Sequence, residues 1–119
     1  MSLRNQIRKG STEILILTLL ADQPMYGYLI SQELDRRSGG YFEMKEGLLY
    51  PTLHRMEKEG LLASDWQKTD SARRRKYYSI TSQGREMLAT QAADWQLFIR
   101  KLQEMLSDND GLGAVKAAE

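Results

Sequence analysis

Cysteine is absent from the chain, which excludes a disulfide scaffold, a thiolate zinc site and a cysteine nucleophile together and fits a reducing compartment. Histidine occurs once, at His54, so a histidine-rich metal site is excluded as well. Long apolar segments are also missing. The longest run, Ile14 to Leu20, is broken by Thr18 and falls far short of the roughly 18 residues of a membrane span. No charged-apolar-small leader pattern opens the chain, so a cytoplasmic location and no membrane association are expected. Neither a glycine-rich phosphate loop, a G-x-S-x-G elbow nor an H-E-x-x-H pair is present, and the Ser, Asp and His spacing predicts no convergence. Catalysis is therefore not expected, nor is a cofactor or a metal.

What remains is ordinary globular material. The length of 119 residues fits one domain; a chain this size buries roughly two-thirds of its extended surface, enough for a modest core. The net charge of +1 hides a polar distribution. Arg4, Arg8 and Lys9 open the chain without an acid; Lys68, Arg73, Arg74, Arg75 and Lys76 stand against Asp70 alone. Glu104, Asp108, Asp110 and Glu119 face only Lys116 near the end. Two basic segments and an acidic tail are what a local polyanion contact needs, because steering depends on the field near the patch. They are equally what solvated loops carry.

The segment Arg4 to Asp22 contains no proline and its only glycine, Gly10, precedes the apolar run. Periodicity cannot separate a buried helix from a strand there, and length favours helix. Pro24 suits the first turn of a second helix, whose apolar face is Tyr26, Leu29, Ile30 and Leu34 and whose end is Gly39-Gly40. A third helix is predicted from about Glu46 to Glu59, with Gly60 just beyond it. With Leu49 at zero and about 100° per residue, Leu53 and Met56 fall within about 40° of it. Tyr50, Pro51, His54, Arg55 and Lys58 occupy the opposite side. Thr52 stands at about 300°, nearer the core side.

Alternation predicts strands over Leu61 to Lys68 and Arg73 to Ile80, joined by a loop at Thr69 to Ala72. Thr81 is placed to cap a last helix. In that helix Leu88, Ala92, Trp95, Ile99, Leu102 and Leu106 recur at alternating spacings of four and three, a short heptad seam widened by Phe98 and Met105. Glycine and small residues after Ser107 offer no packing face.

The fold class expected is α+β, mainly α: a winged helix-turn-helix with a C-terminal dimerisation helix. Residues 1–80 form the DNA-binding domain, 81–107 the dimerisation helix and 108–119 a flexible acidic tail. The connection Gly39 to Lys45 is longer than the turn of the simplest helix-turn-helix.

Three blocks resemble the PadR-type transcriptional regulators. They are Leu49-Tyr50-Pro51-Thr52-Leu53-His54-Arg55-Met56-Glu57-Lys58-Glu59-Gly60-Leu61-Leu62, Pro24-Met25-Tyr26-Gly27-Tyr28, and Arg75-Lys76-Tyr77-Tyr78-Ser79-Ile80-Thr81 with Gly84 beyond it. The resemblance covers about residues 8–106, and the single C-terminal helix resembles the smaller members of the family. The wing tip, Asp70-Ser71-Ala72, departs from the glycine and proline often found there. The resemblance implies a homodimeric repressor that binds a pseudo-palindromic operator in double-stranded DNA and is released by a small molecule or stress signal. It does not carry over the effector's identity.

On the third helix, Tyr50 and Thr52 can donate to phosphates or base edges, His54 can read or position, and Arg55 and Lys58 can neutralise phosphates. Alternatively Tyr50 packs against helix two, the cations solvate a face, and His54 is a lone pH switch or a surface residue. In the wing, Lys68, Arg73, Arg74, Arg75 and Lys76 can straddle a backbone or reach into a narrow minor groove. The seam Leu88, Ala92, Trp95, Ile99, Leu102 and Leu106 is the expected homodimer contact. Within it Trp95, Phe98 and Ile99 are candidates for holding a small aromatic or amphipathic effector; the plainer role for Trp95 is to fill the interface. The rival to DNA binding is a winged-helix module for protein partners, which would need an apolar exposed face on helix three and a wing without excess cations.

Overall fold

A computed structural model describes residues 3–71 and 73–108. Along the chain run α1 (Leu3–Leu20), β1 (Met25–Tyr26), α2 (Gly27–Arg37), α3 (Glu46–Lys58), β2 (Leu62–Lys68), β3 (Arg74–Ile80) and α4 (Ser82–Asp108). The apolar run near the start is helical and central: Ile16, Leu17, Leu19 and Leu20 are all buried. Thr18 falls on the exposed side of this helix, where its hydroxyl donates to the Ile14 carbonyl at 2.6 Å.

Pro24 does not open the second helix, which begins only at Gly27. Met25 and Tyr26 instead pair antiparallel with β3, opposite Tyr78 and Tyr77, so the expected two-stranded hairpin is a three-stranded sheet in the order β1-β3-β2. The gain is burial, since Met25 and Tyr78 are both removed from water where they pair. Tyr26, expected on the apolar face of α2, lies on the other side of the sheet with its ring edge-on to Tyr77 at 5.4 Å. The residue before α2 is thereby anchored to the wing by backbone.

Both helix ends predicted from glycine close as expected. Gly39 and Gly40 have φ of 62° and 83°, and the Gly40 N–H donates to the Asp35 carbonyl at 2.8 Å. At the end of α3, Gly60 has φ 85° while Gly60 and Leu61 donate to the carbonyls of Glu57 and Met56 at 3.0 and 2.9 Å. This paired closure reverses the chain and drops Leu61 into the core. The core itself joins that end to α1, Ile30 and Leu34 of α2, Leu49, Leu53 and Met56 of α3, and Tyr78 of β3.

Register sets the two faces of the wing. Leu62↔Ile80, Ser64↔Tyr78, Trp66↔Lys76 and Lys68↔Arg74 share one face, and Asp65↔Tyr77 and Gln67↔Arg75 the other. Thr81 caps α4 by accepting from the Gly84 N–H at 2.9 Å, and its hydroxyl reaches the Gly60 carbonyl at 2.7 Å. Gly84 sits directly on the Leu61 backbone, where an added Cβ would lie 2.3 Å from the carbonyl oxygen.

The described residues divide into two compact units, one ending at Leu88 and the other beginning at Ala89. Leu88, expected in the dimer seam, is half-buried and packs against the core of the first unit. In the second, Leu97, Phe98, Ile99, Leu102, Met105 and Leu106 are exposed, and the Trp95 ring stands edge-on to Phe98 at 6.1 Å. The acidic tail expected over 108–119 lies, apart from Asp108, outside the described residues.

Two outcomes follow from this packing. Gly84→Ala forces backbone apart and should lower unfolding free energy by about 1–3 kcal/mol in urea titrations; an unchanged midpoint would contradict the contact. Glu33 accepts from Arg36 at 2.8 and 3.0 Å and from Arg37 at 3.0 Å, and these partners, Arg36 first, hold its carboxyl down at about 2. The stability it contributes is complete above the ordinary value of 4.5 and is lost as pH falls towards 2. NMR titration of Glu33 should show a midpoint near 2, and a midpoint near 4.5 would remove the pairing.

Candidate nucleic-acid interface

Burial of one stripe of α3 fixes what its other side shows. With Leu49, Leu53 and Met56 in the core, Tyr50, Pro51, His54, Arg55 and Lys58 face outward. Thr52 does not join them. It is 6% exposed and its hydroxyl is spent on the Leu48 carbonyl at 2.7 Å, so the expected DNA contact from Thr52 is corrected to a core position.

Tyr50 is held by a missing side chain. A Cβ on Gly27 would stand 2.6 Å from the Tyr50 Cε1 and 2.7 Å from its hydroxyl oxygen. The ring thus lies against the first residue of α2 while remaining 37% exposed, which reconciles packing on helix two with a surface role. Burial first, then the Glu46 carboxylate and Tyr78, push its phenol up, so at neutral pH Tyr50 is an O–H donor.

The cations differ in how they are held. Arg55 hydrogen-bonds Glu13 of α1 and lies 3.4 Å from Glu59, and the Glu13 bond above all pushes its pKa further up. A phosphate at Arg55 must compete with those acids. His54 and Lys58 stand exposed on the same stripe. In the wing, Lys68 and Arg73 are exposed, and the Arg74 guanidinium lies 5.7 Å from the Trp66 ring centroid. Arg75 sits 4.2 Å over Tyr26, and Lys76, 5.4 Å over Tyr78, reaches Glu57 of α3 at 3.7 Å. The Ser64 hydroxyl donates to the same Glu57 carboxylate. Glu57 thus ties both wing strands to α3, while ring faces brace the arginines that carry the positive field.

Between the start of α2, Tyr50 and the wing lies a cleft of about 410 Å³, bordered by Tyr28, Trp66 and the cations from Arg73 to Lys76. A second hollow follows the outer stripe of α3 along His54, Arg55, Glu57 and Lys58. The structure therefore brings Tyr50 and the wing cations together around one opening, with the α3 donors beside Arg55. Sequence reasoning missed Trp66, which is 56% exposed. Its signal was present: the alternation Leu62-Ser64-Trp66 starts in the core and runs out along a hairpin, where nothing of the body remains to cover an indole. Among the described residues, no cluster of three or more His, Asp or Glu side chains could hold a metal, and no helix is long and apolar enough to cross a membrane.

A helix pair that exposes a donor-bearing stripe beside a cationic hairpin defines a winged-helix DNA-binding transcriptional regulator. Residues 16–90 match the PadR-like family of transcriptional regulators, and the chain belongs to that family. It is 36% identical over 83 residues to a transcriptional regulator from Mycobacterium tuberculosis, covering 70% of this chain and 74% of that protein. The structure of a PadR-like transcriptional regulator from Bacillus cereus superposes with a TM-score of 0.77 at 33% identity, over 85% of this chain and 96% of the other. A transcriptional regulator from Clostridium thermocellum gives 0.75 at 28% identity, over 83% and 96%.

Gly27→Ala tests how Tyr50 is seated. The clash falls on the far end of a movable, part-exposed ring, so the fold should survive while duplex affinity falls roughly tenfold, about 1.4 kcal/mol. In a Tyr50→Ala background the same change should cost almost nothing, a coupling that anisotropy titrations measure. Equal losses in both backgrounds would detach Gly27 from Tyr50.

Proposed function

We propose that the protein is a homodimeric, cytoplasmic repressor that binds a pseudo-palindromic operator and is released by a small aromatic effector. The observation that carries the DNA-facing part is the single opening flanked by Tyr50 of α3 and by Arg73, Arg74, Arg75 and Lys76 of the wing. In this reading residues 1–80 form the DNA-binding domain. The exposed stripe of α3 enters a major groove about 12 Å wide; Tyr50 and His54 meet base edges or phosphates, and Lys58 and Arg55 neutralise phosphates. Lys68, Arg73 and Arg74 follow the neighbouring backbone or minor groove, and Arg75 and Lys76 act from their braced positions.

The dimer rests on the exposed apolar residues of α4, Ile99, Leu102 and Leu106 with Phe98 and Met105, which water penalises. Each is worth roughly 1.5–3 kcal/mol when fully buried. Ala92 and Trp95 extend the seam, whereas Leu88 serves the core. Two-fold pairing of this helix, residues 81–107, sets two copies of α3 about 34 Å apart, on successive major grooves. Trp95, Phe98 and Ile99 supply apolar and aromatic surface for an aromatic effector. Such a ligand loosens operator binding only by its differential affinity for the two wing arrangements.

The first test is a gel shift with DNA flanking the protein's own coding region. If each protomer neutralises four phosphates, log affinity should fall against log salt with a slope near −7, and Arg73→Gln with Arg74→Gln should bring it to about −3.6 on specific and scrambled duplexes alike. Tyr50→Phe or His54→Ala should change the preference between those duplexes instead. A wing variant that keeps the full slope removes the wing from the interface. With Trp66→Phe, planar arenes should quench Trp95 emission, and silence across a broad panel removes the effector from Trp95.

A further inference from the structure

The cleft beside Tyr50 holds more than a duplex explains. Tyr28 and Trp66 are 58% and 56% exposed at its margin, with Tyr26 and Tyr50 beside them. Four consecutive cations, Arg73 to Lys76, line the same volume, and no carboxylate does. Paired DNA accounts for the cations, because it offers phosphates. Base edges and phosphates also account for tyrosine hydroxyls such as that of Tyr50, but not for the exposed ring face of Trp66, because a duplex keeps its base faces inside the stack and shows only edges in its grooves. The rings also do more than pack on the core, since cations already lie over Trp66 and Tyr26 at 5.7 and 4.2 Å. Arginine planes and aromatic faces held that way form a platform for a flat heterocycle, the arrangement that binds unpaired bases. With Lys76 already facing Glu57 at 3.7 Å, the three arginines still outnumber the acids and call for a ligand carrying more than one negative charge, which a phosphate ester supplies and a single carboxylate does not. A volume of about 410 Å³ gives room for a ligand of nucleotide size.

From this we infer that the cleft between α2, Tyr50 and the wing is a binding site for a free nucleoside phosphate. Its base stacks at Trp66 and Arg74, and its phosphates are met by Arg73, Arg75 and Lys76. Because the site opens where the duplex approaches, a bound nucleotide excludes DNA by direct competition. That consequence rests on the DNA-facing reading above; the binding itself does not.

The probe is ADP, with adenosine and inorganic pyrophosphate as its two halves. In Trp95→Phe protein, where emission comes from Trp66 alone, ADP should quench saturably below ~1 mM. By calorimetry each half should bind at least ~10-fold more weakly than ADP, and Arg74→Gln with Arg75→Gln should weaken ADP by a similar factor. Added ADP should raise the apparent dissociation constant of a bound duplex in proportion to its concentration. Absence of quenching at ~1 mM overturns the site, as does pyrophosphate binding as tightly as ADP, the behaviour of a plain cation patch. ADP binding that leaves duplex affinity unchanged overturns the competition. ADP binding by a protein that ignores duplex DNA supports the site while refuting the repressor reading. Duplex binding without ADP binding does the reverse.

Discussion

The structure depends on the burial of one side of α3. Leu49, Leu53 and Met56 are sealed between α1, the sheet and α2, at exposures of 0–1%. A helix buried along one stripe must display the residues opposite, and here those residues carry a phenol, an imidazole and two cations. Replacing an inner residue would cost core packing and also rotate or loosen the outer stripe. Fold and binding surface are thus set by the same contacts.

Around that helix the neighbours are locked by short, specific links. β1 pairs its two residues with Tyr77 and Tyr78, so the start of α2 moves with the wing. Glu57 receives Ser64 from β2 and Lys76 from β3, drawing the wing root towards α3. Thr81 bonds the Gly60 carbonyl and caps α4, so the end of α3 and the start of α4 share one side chain. None of these exposed or half-exposed polar links is individually large in free energy. Their effect is geometric, because they fix the distance between Tyr50 and the wing cations that border the cleft.

Much of this was legible in the amino-acid order because periodicity and punctuation agree. Gly39-Gly40 and Gly60 stop helices for a steric reason local to each residue, and the opposing stripes of α3 follow from spacing alone. What escaped depends on contacts distant in the chain. Met25-Tyr26 is too short to show alternation and becomes a strand only because β3 is there to pair with it. Thr52 looks polar in sequence, yet a helix lets its hydroxyl return to Leu48, which makes burial cheap. That a phosphate at Arg55 must compete with Glu13, forty-two positions earlier, shows only once the fold brings the two together. Leu88 fits the heptad spacing of the seam but falls where α4 still lies on the core. The alternation Leu62-Ser64-Trp66 marks the face on which Trp66 stands, while the reach of the hairpin beyond the body follows from tertiary packing.

Membership of the PadR-like regulators gives this surface its biological setting, and the proposal is that a duplex is engaged by a donor-bearing helix in one groove, by braced arginines along the adjoining backbone, and by a paired second copy one turn away. Hydroxyl-radical footprinting of the bound duplex tests that most directly. The account predicts two protected patches on the same face of the DNA, centred about 10 base pairs apart. A single patch, or uniform cleavage at saturating protein, would contradict it.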